Sequence, residues 1–158
     1  MIFTGEYSYR LDAKNRLIIP AQIRDAVDIQ QEGQGWYLVP GFSGTISLYT
    51  PVTFERLAGE HQAELFRLKN VRDYERLHFA LSARVEADRT GRVLIPEVML
   101  RRTQIGNEVC IIGVRDHLEI WDQKRWDQFV ADSFAAHDEL AVSAYETKRD
   151  ETRGAGSA

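Results

Sequence analysis

Polar and aliphatic positions along this chain spell out one phrase twice. In Asp12-Ala13-Lys14-Asn15-Arg16-Leu17-Ile18-Ile19-Pro20 a polar stretch leads through an arginine into three aliphatic residues and a proline. Asp88-Arg89-Thr90-Gly91-Arg92-Val93-Leu94-Ile95-Pro96 does the same 76 positions later. An apolar run that short reads as a buried strand, and proline, which has no N–H for a ladder, ends it and suits the first turn of a helix. The residues ahead of the run read as a type I turn, with Asp at the first corner and a left-handed residue three positions on. Asn15 and Gly91 stand at that position, and they are the residue types that tolerate positive φ best. Turn, arginine, strand, proline and short helix make one unit, and the turn is expected to open a bulged hairpin.

The likeness continues downstream at an offset of 72: Ile46 meets Leu118, Leu48 meets Ile120, Tyr49 meets Trp121, Thr50 meets Asp122 and Phe54 meets Trp126. The first copy is four residues longer, and the polar, Gly-bearing stretch from Gln30 to Gly35 reads as the surface loop that holds them. Strands are predicted at 7–11, 17–19, 36–39 and 45–49, then at 84–87, 93–95, 109–112 and 117–121. Helices are predicted from Pro20 to Val27 and after the N-cap candidates Thr50 and Asp122. The helix after Thr50 sets Phe54, Leu57, Ala58, Leu65 and Leu68 near one face, and a helix over 71–81 aligns Val71, Tyr74, Leu77 and Leu81. The helix after Asp122 carries Trp126, Phe129 and Val130. Beyond Val142 the periodicity fades, and 147–158 reads as a mobile tail. The predicted organisation is a first repeat over 5–54, a helical linker over 55–81, a second repeat over 82–126, and a C-terminal helix and tail over 127–158. The class is mainly β with short helices (α+β).

Two halves of roughly 70 residues are marginal alone, so they are expected to pack against each other. No stretch approaches the roughly 20 apolar residues of a membrane span, and the first residues lack the features of a secretory signal. The one cysteine, Cys110, allows no internal disulfide and suits a reducing cytoplasm, as a buried apolar thiol. A net charge of −4 is not the usual footprint of a nucleic-acid binder. Its distribution changes the picture. In residues 1–24, Arg10, Lys14, Arg16 and Arg24 outweigh Glu6 and Asp12. In residues 82–105, Arg84, Arg89, Arg92, Arg101 and Arg102 outweigh Glu86, Asp88 and Glu97. Acid predominates in residues 132–158, away from both motifs.

Arg16 and Arg92 have two readings: ion-pair partners of Asp12 and Asp88 across their turns, or donors to a ligand. Asp12 and Asp88 read first as turn-fixing residues that bond backbone N–H groups. As a pseudo-symmetric carboxylate pair they also suggest a catalytic dyad, but Lys14 and Arg89 beside them favour two ionised carboxylates. No nucleophile-and-base set or phosphate loop offers another catalytic route, and His61, His78, His117 and His137 lack metal-ligand spacing. The expectation is no enzyme, no cofactor, no metal and no small-molecule substrate. A scaffold whose turns bind protein is the remaining rival, separable from DNA binding by salt dependence.

The two Asp-x-x-Gly/Asn-Arg-x-x-Ile-Pro motifs at this spacing resemble the MraZ family of bacterial transcriptional regulators, with tandem DNA-binding domains of the AbrB/SpoVT type. The resemblance runs from Gly5 to about Val130, with Asn15 replacing the usual glycine of the first motif. It implies two swapped-hairpin halves forming one β-barrel, subunits assembled into a ring, and binding to repeated double-stranded DNA elements ahead of the division and cell-wall gene cluster. A cytoplasmic, nucleoid-associated protein follows from that. Carried over by position, the DNA-binding residues are Arg16 and Arg92, with Lys14 and Arg89 on the turns and Arg10 and Arg84 on the preceding strands. Asp12, Asn15, Asp88 and Gly91 shape the turns. Guanidinium groups bind phosphate and can take both acceptors of a guanine in the major groove, which agrees with the chemistry of these residues.

Overall fold

The computed structural model describes residues 1–60 and 68–155, with side chains described as far as Lys148. The chain divides into two compact units, Met1–Gln123 and Lys124–Ala158. In the first unit β1 (Glu6–Arg10), β2 (Arg16–Ile18), α1 (Ala21–Ala26), α2 (Ile29–Glu32), β3 (Trp36–Pro40), β4 (Ile46–Tyr49) and α3 (Pro51–Glu60) form the first copy. After α4 (Lys69–Ala80) come β5 (Ala83–Val85), β6 (Arg92–Leu94), α5 (Glu97–Thr103), β7 (Glu108–Val114) and β8 (His117–Asp122). The fold is therefore mixed α+β with antiparallel sheets, but it is not mainly β: helices take more of the described chain than strands, and the helix His137–Ala155 in the second unit alone runs 19 residues.

The copies interleave. A six-stranded sheet runs β1-β7-β8-β4-β3-β5, and β2 pairs with β6 in a second ladder. Matching β1 to β5, β2 to β6, β3 to β7 and β4 to β8 turns the six-strand order into its own reverse, which is the signature of a pseudo-two-fold axis. The registers place that axis. Leu17 faces Val93 at the centre of the β2–β6 ladder, and Ser47 faces Glu119 at the centre of β4–β8. Off the axis, bonds come in related pairs: the Ile19 N–H donates to the Gly91 carbonyl, and the Ile95 N–H donates to the Asn15 carbonyl, both at 2.9 Å. The hairpin expected at each turn does not form, because β1 and β2 find partners in the other copy: β1 pairs with β7 and β2 with β6.

One core fills the first unit. Leu17, Ile19, Val93 and Ile95 are fully buried, together with Leu38, Ile46, Leu48, Ile111, Leu118 and Ile120. The aliphatic run after each motif arginine thus does what its pattern required: its first and third residues point inward. The middle residue of each run faces outward, and Leu94 is 54% exposed.

Local chemistry explains the helix starts. Thr50 Oγ1 lies 3.4 Å from the Thr53 N–H it caps and donates to Glu32 at 2.7 Å. Asp122 instead accepts from the Gly106 N–H at 3.1 Å. The loop predicted over 30–35 contains α2, because the Asp28 side chain caps Gln30 and supports one helical turn before Gly33. A helix from Gln123 to Ser133 (α6) opens the second unit with all but its first residue, and α7 (His137–Ala155) follows. Helix thus replaces the expected tail as far as Ala155; Asp138 and Glu139 in its first turn suit the N-terminal dipole. Leu65 in the predicted linker helix and 156–158 of the predicted tail lie outside the described residues. No described helix is long and apolar enough to cross a membrane.

Candidate functional site

The twin turns are closed by the same bonds. Asn15 N–H donates to the Asp12 carbonyl at 3.0 Å, and Gly91 N–H to the Asp88 carbonyl at 2.9 Å. In return the Asp12 and Asp88 N–H groups donate to the carbonyls of Arg16 and Arg92, at 3.0 and 2.8 Å. Each Asp Oδ1 also accepts two backbone bonds: Asp12 from Lys14 and Arg16, both 2.9 Å, and Asp88 from Thr90 at 2.8 Å and Arg92 at 3.1 Å. Asn15 sits at φ 58° and Gly91 at φ 80°, so one left-handed backbone is built from two residue types. The aspartates do the turn-fixing work their spacing suggested.

The β2–β6 ladder carries both motif arginines on its outer face, because Leu17 and Val93 point inward and their neighbours must point out. Arg16 stands opposite Leu94, and Arg92 opposite Ile18. The two turns thereby meet. Arg16 Nε donates to Asp12 Oδ2 at 2.7 Å, while its Nη1 lies 3.7 Å from Asp88 Oδ2. Arg92 Nη1 reaches back toward Asp12 Oδ2 at 4.0 Å. The result is a four-membered cluster of two carboxylates and two guanidinium groups across the pseudo-two-fold. Neither arginine is sealed: their side chains are 36% and 42% exposed. A guanidinium has five donors, so one held on an edge by carboxylate still has others to give.

The cluster keeps its carboxylates charged. The Arg16 backbone N–H, against a partial burial that opposes it, and then the Arg16 side chain and the Lys14 N–H hold Asp12 at about 2, from an ordinary 3.8. Asp88 is also lowered, first by the Thr90 hydroxyl, which donates at 2.6 Å, and then by the Arg92 N–H.

The remaining sequence candidates fall at different distances from this centre. Lys14 and Arg89 are exposed on the turns themselves. Arg10 pairs with Glu108 at 2.6 Å, which offsets its charge. Arg84 donates to the Gln34 carbonyl at 3.3 Å and lies 6.0 Å from the Tyr37 ring centre. Arg10 is therefore committed to a carboxylate, and Arg84 to a strand neighbour and a ring. Sequence reasoning missed Arg24 as a site residue. Its Nε donates to the Ile19 carbonyl at 3.1 Å, and its guanidinium lies so close to Gly91 that a Cβ there would come within 2.6 Å of it. The signal was present in α1, four residues after Pro20, but only the crossing of the two copies sets that helix beside the other turn.

His117, for which the sequence offered only a lack of metal-ligand spacing, proves to be a second organised group. It lies 2.9 Å from Asp116 and 3.5 Å from Glu119, and stacks on Tyr49 at 4.8 Å. Burial pushes its pKa down, but the bonds to Glu119 and Asp116 outweigh burial and raise it. Among the described residues no group of three or more His, Cys, Asp or Glu could hold a metal ion.

The fold and the paired turns define a class: one chain that carries two copies of a turn, arginine, strand and short-helix unit, interleaved about a pseudo-two-fold. The family described as "MraZ protein, putative antitoxin-like" matches residues 2–77 and 79–145, one match to each half, and the chain belongs to that family. Among curated relatives it is 34% identical to the transcriptional regulator MraZ of Mycoplasmoides gallisepticum over 142 residues, covering 90% of this chain and 96% of that protein. It is 33% identical to the protein of the same name from Lactiplantibacillus plantarum (89% and 96% covered) and 31% identical to that of Finegoldia magna (89% and 94% covered).

Proposed function

We propose that this chain is a sequence-specific DNA-binding transcriptional regulator without catalytic activity. The observation that carries this reading is the pair of outward-facing arginines, Arg16 and Arg92, brought by the β2–β6 ladder onto one exposed surface with Lys14 and Arg89 beside them. Membership of a family whose named relatives are transcriptional regulators supports it. In this reading Asp12 and Asp88 hold the guanidinium groups in fixed directions, and DNA takes the donors that the carboxylates leave. Lys14 and Arg89 meet phosphate, which positions the protein, while Arg16 and Arg92 reach base edges, which specifies sequence. Arg24 supports the second turn. Arg10 and Arg84, already engaged by Glu108 and by Gln34 and Tyr37, extend the contact along the flanking strands only with the donors those partners leave.

Beyond the single chain, the six-stranded sheet and the two-stranded ladder are read as walls of one pseudo-symmetric barrel. Copies of it assemble into a ring that engages tandem repeats in the promoter of the division and cell-wall gene cluster, in the cytoplasm at the nucleoid. Linked weak sites gain affinity through effective concentration, so a ring on repeated DNA needs little from each turn.

The test is fluorescence anisotropy on DNA carrying tandem repeats, over a salt series, with light scattering on the same samples. The wild type is expected to lose affinity steeply as salt rises. Arg16→Ala with Arg92→Ala is expected to lower affinity about a hundredfold or more, at roughly 1–3 kcal/mol per specific contact, while the assembly mass is unchanged. Equal affinity in the double variant removes the mechanism, and salt-insensitive binding favours a protein partner.

A further inference from the structure

A second site lies on elements that carry none of the turn residues. The linker helices α3 and α4 form with β4 a cleft of about 130 Å³ that opens to solvent on the side of the half-exposed Tyr74 and Phe79. Its walls are the rings of Tyr49, Phe54, Tyr74 and Phe79, with Leu57 and Ala58 completing the apolar surface and His78 at its side. Most of these rings are already fixed from outside. Phe54 stacks on Tyr37 at 4.2 Å between ring centres and meets Phe79 edge to face at 6.0 Å. Tyr49 stacks on His117, which two carboxylates orient. Tyr74 and His78 pair at 5.3 Å with their polar atoms 3.4 Å apart, so one part of the wall is wet chemistry and the rest is dry.

An enclosed apolar cavity of about 150 Å³ takes benzene, and this cleft offers similar room and lining while its open side can keep one polar group of a guest wet. Walls held by their own neighbours need little ordering when a ligand enters, so small apolar guests bind there in spite of their size. Aromatic walls could also attract a cation, but among the described residues no carboxylate lines this cleft to complete such a cage. We infer that the α3–α4 cleft is a binding site for a small neutral aromatic molecule with one hydroxyl group, of phenol size, its ring among Phe54, Phe79 and Leu57 and its hydroxyl toward Tyr74 and His78. This site is independent of the DNA reading above.

Phenol is the probe, titrated into the full chain while the methyl NMR signals of Leu57 and Ala58 are followed. Saturable one-to-one shifts of those methyls are expected, with a melting temperature that rises with phenol concentration. Tetramethylammonium at the same concentrations is expected to leave both unmoved. Ala58→Phe, which fills the space, should weaken phenol binding by about tenfold or more, and Tyr74→Phe should weaken it by a few fold. Shifts that grow linearly without saturating would overturn the inference, as would saturable binding of tetramethylammonium. So would undiminished phenol binding by a folded Ala58→Phe chain. If that variant does not fold, the wild-type titration and Tyr74→Phe decide.

Discussion

The two turns share a backbone and differ in how their side chains are employed. In the first, one carboxylate does nearly everything: Asp12 takes two backbone N–H groups, the Nε of its own arginine at 2.7 Å, and the distant arginine of the other copy at 4.0 Å. In the second, Asp88 spends its Oδ1 on a threonine hydroxyl and the same two backbone donors, and only its Oδ2 lies near Arg16, at 3.7 Å. Asp12 is thus the hub of the cluster and Asp88 a local clasp. Arg24 adds to the inequality, since it covers Gly91 of the second turn, and the position 76 residues on, which α5 would set against the first turn, is Leu100. Duplication preserved the geometry of the scaffold and left the chemistry of its two ends free to diverge.

The comparison breaks most visibly at its axis. Leu17 and Val93 face each other there, both fully buried, so Leu17→Ala should cost about 2–5 kcal/mol and Val93→Ala less, as fewer methyls are lost. Chemical denaturation of the two variants checks the order. Next in size is the left-handed position of each turn. Gly91→Ala introduces a Cβ at φ 80° against the Arg24 guanidinium, and should cost about 1–2 kcal/mol, read as a shifted denaturation midpoint. Asn15→Gly should be close to neutral, because that backbone already suits glycine; an equal loss at both positions would show that the turns are not the same device.

The aspartates sharpen the comparison through pH. Both have pKa values lowered by folding, so each stabilises the native state while ionised, and that contribution is present above the ordinary carboxylate range. It is lost as pH falls through the folded value, which for Asp12 means between about 4 and about 2. Melting temperatures measured from pH 5 to pH 2 should therefore fall more steeply for the wild type than for Asp12→Asn, with the two curves converging near the acid end. Asp88→Asn should flatten the same curve less than Asp12→Asn does.

The sequence showed what short-range rules control. The turn residues, the inward aliphatic runs and most strand positions follow from types and spacing within a few residues, and the pseudo-equivalent pairs appear in the structure as symmetric bonds. Long-range pairing was not visible in residue types and spacing; only the family resemblance, with its swapped-hairpin halves, implied an exchange between the copies. Nothing in residues 6–18 says that β1 joins β7 or that β2 joins β6, since a hairpin would satisfy the same local preferences. For that reason Arg24 beside Gly91, Glu108 beside Arg10 and the two carboxylates about His117 were beyond reach. The helix at Ile29–Glu32 and the continuation of α7 through 147–155, where a tail was expected, were missed for a different reason: capping and dipole effects outweighed a weak apolar period.

The interleaving of the strands also orders events during synthesis. β1 emerges long before residues 108–112 to which it hydrogen-bonds, and β2 before residues 92–94, so these two strands have no mates until much of the chain that follows them has left the ribosome. Topology of this kind slows the search for the native state, because distant segments must close large loops before any ladder rewards them. Nascent chains of this protein therefore pass through a long interval with bare edges on β1 and β2, and a chaperone that shields such edges would act on residues 6–18 rather than on β3 and β4, which pair with each other.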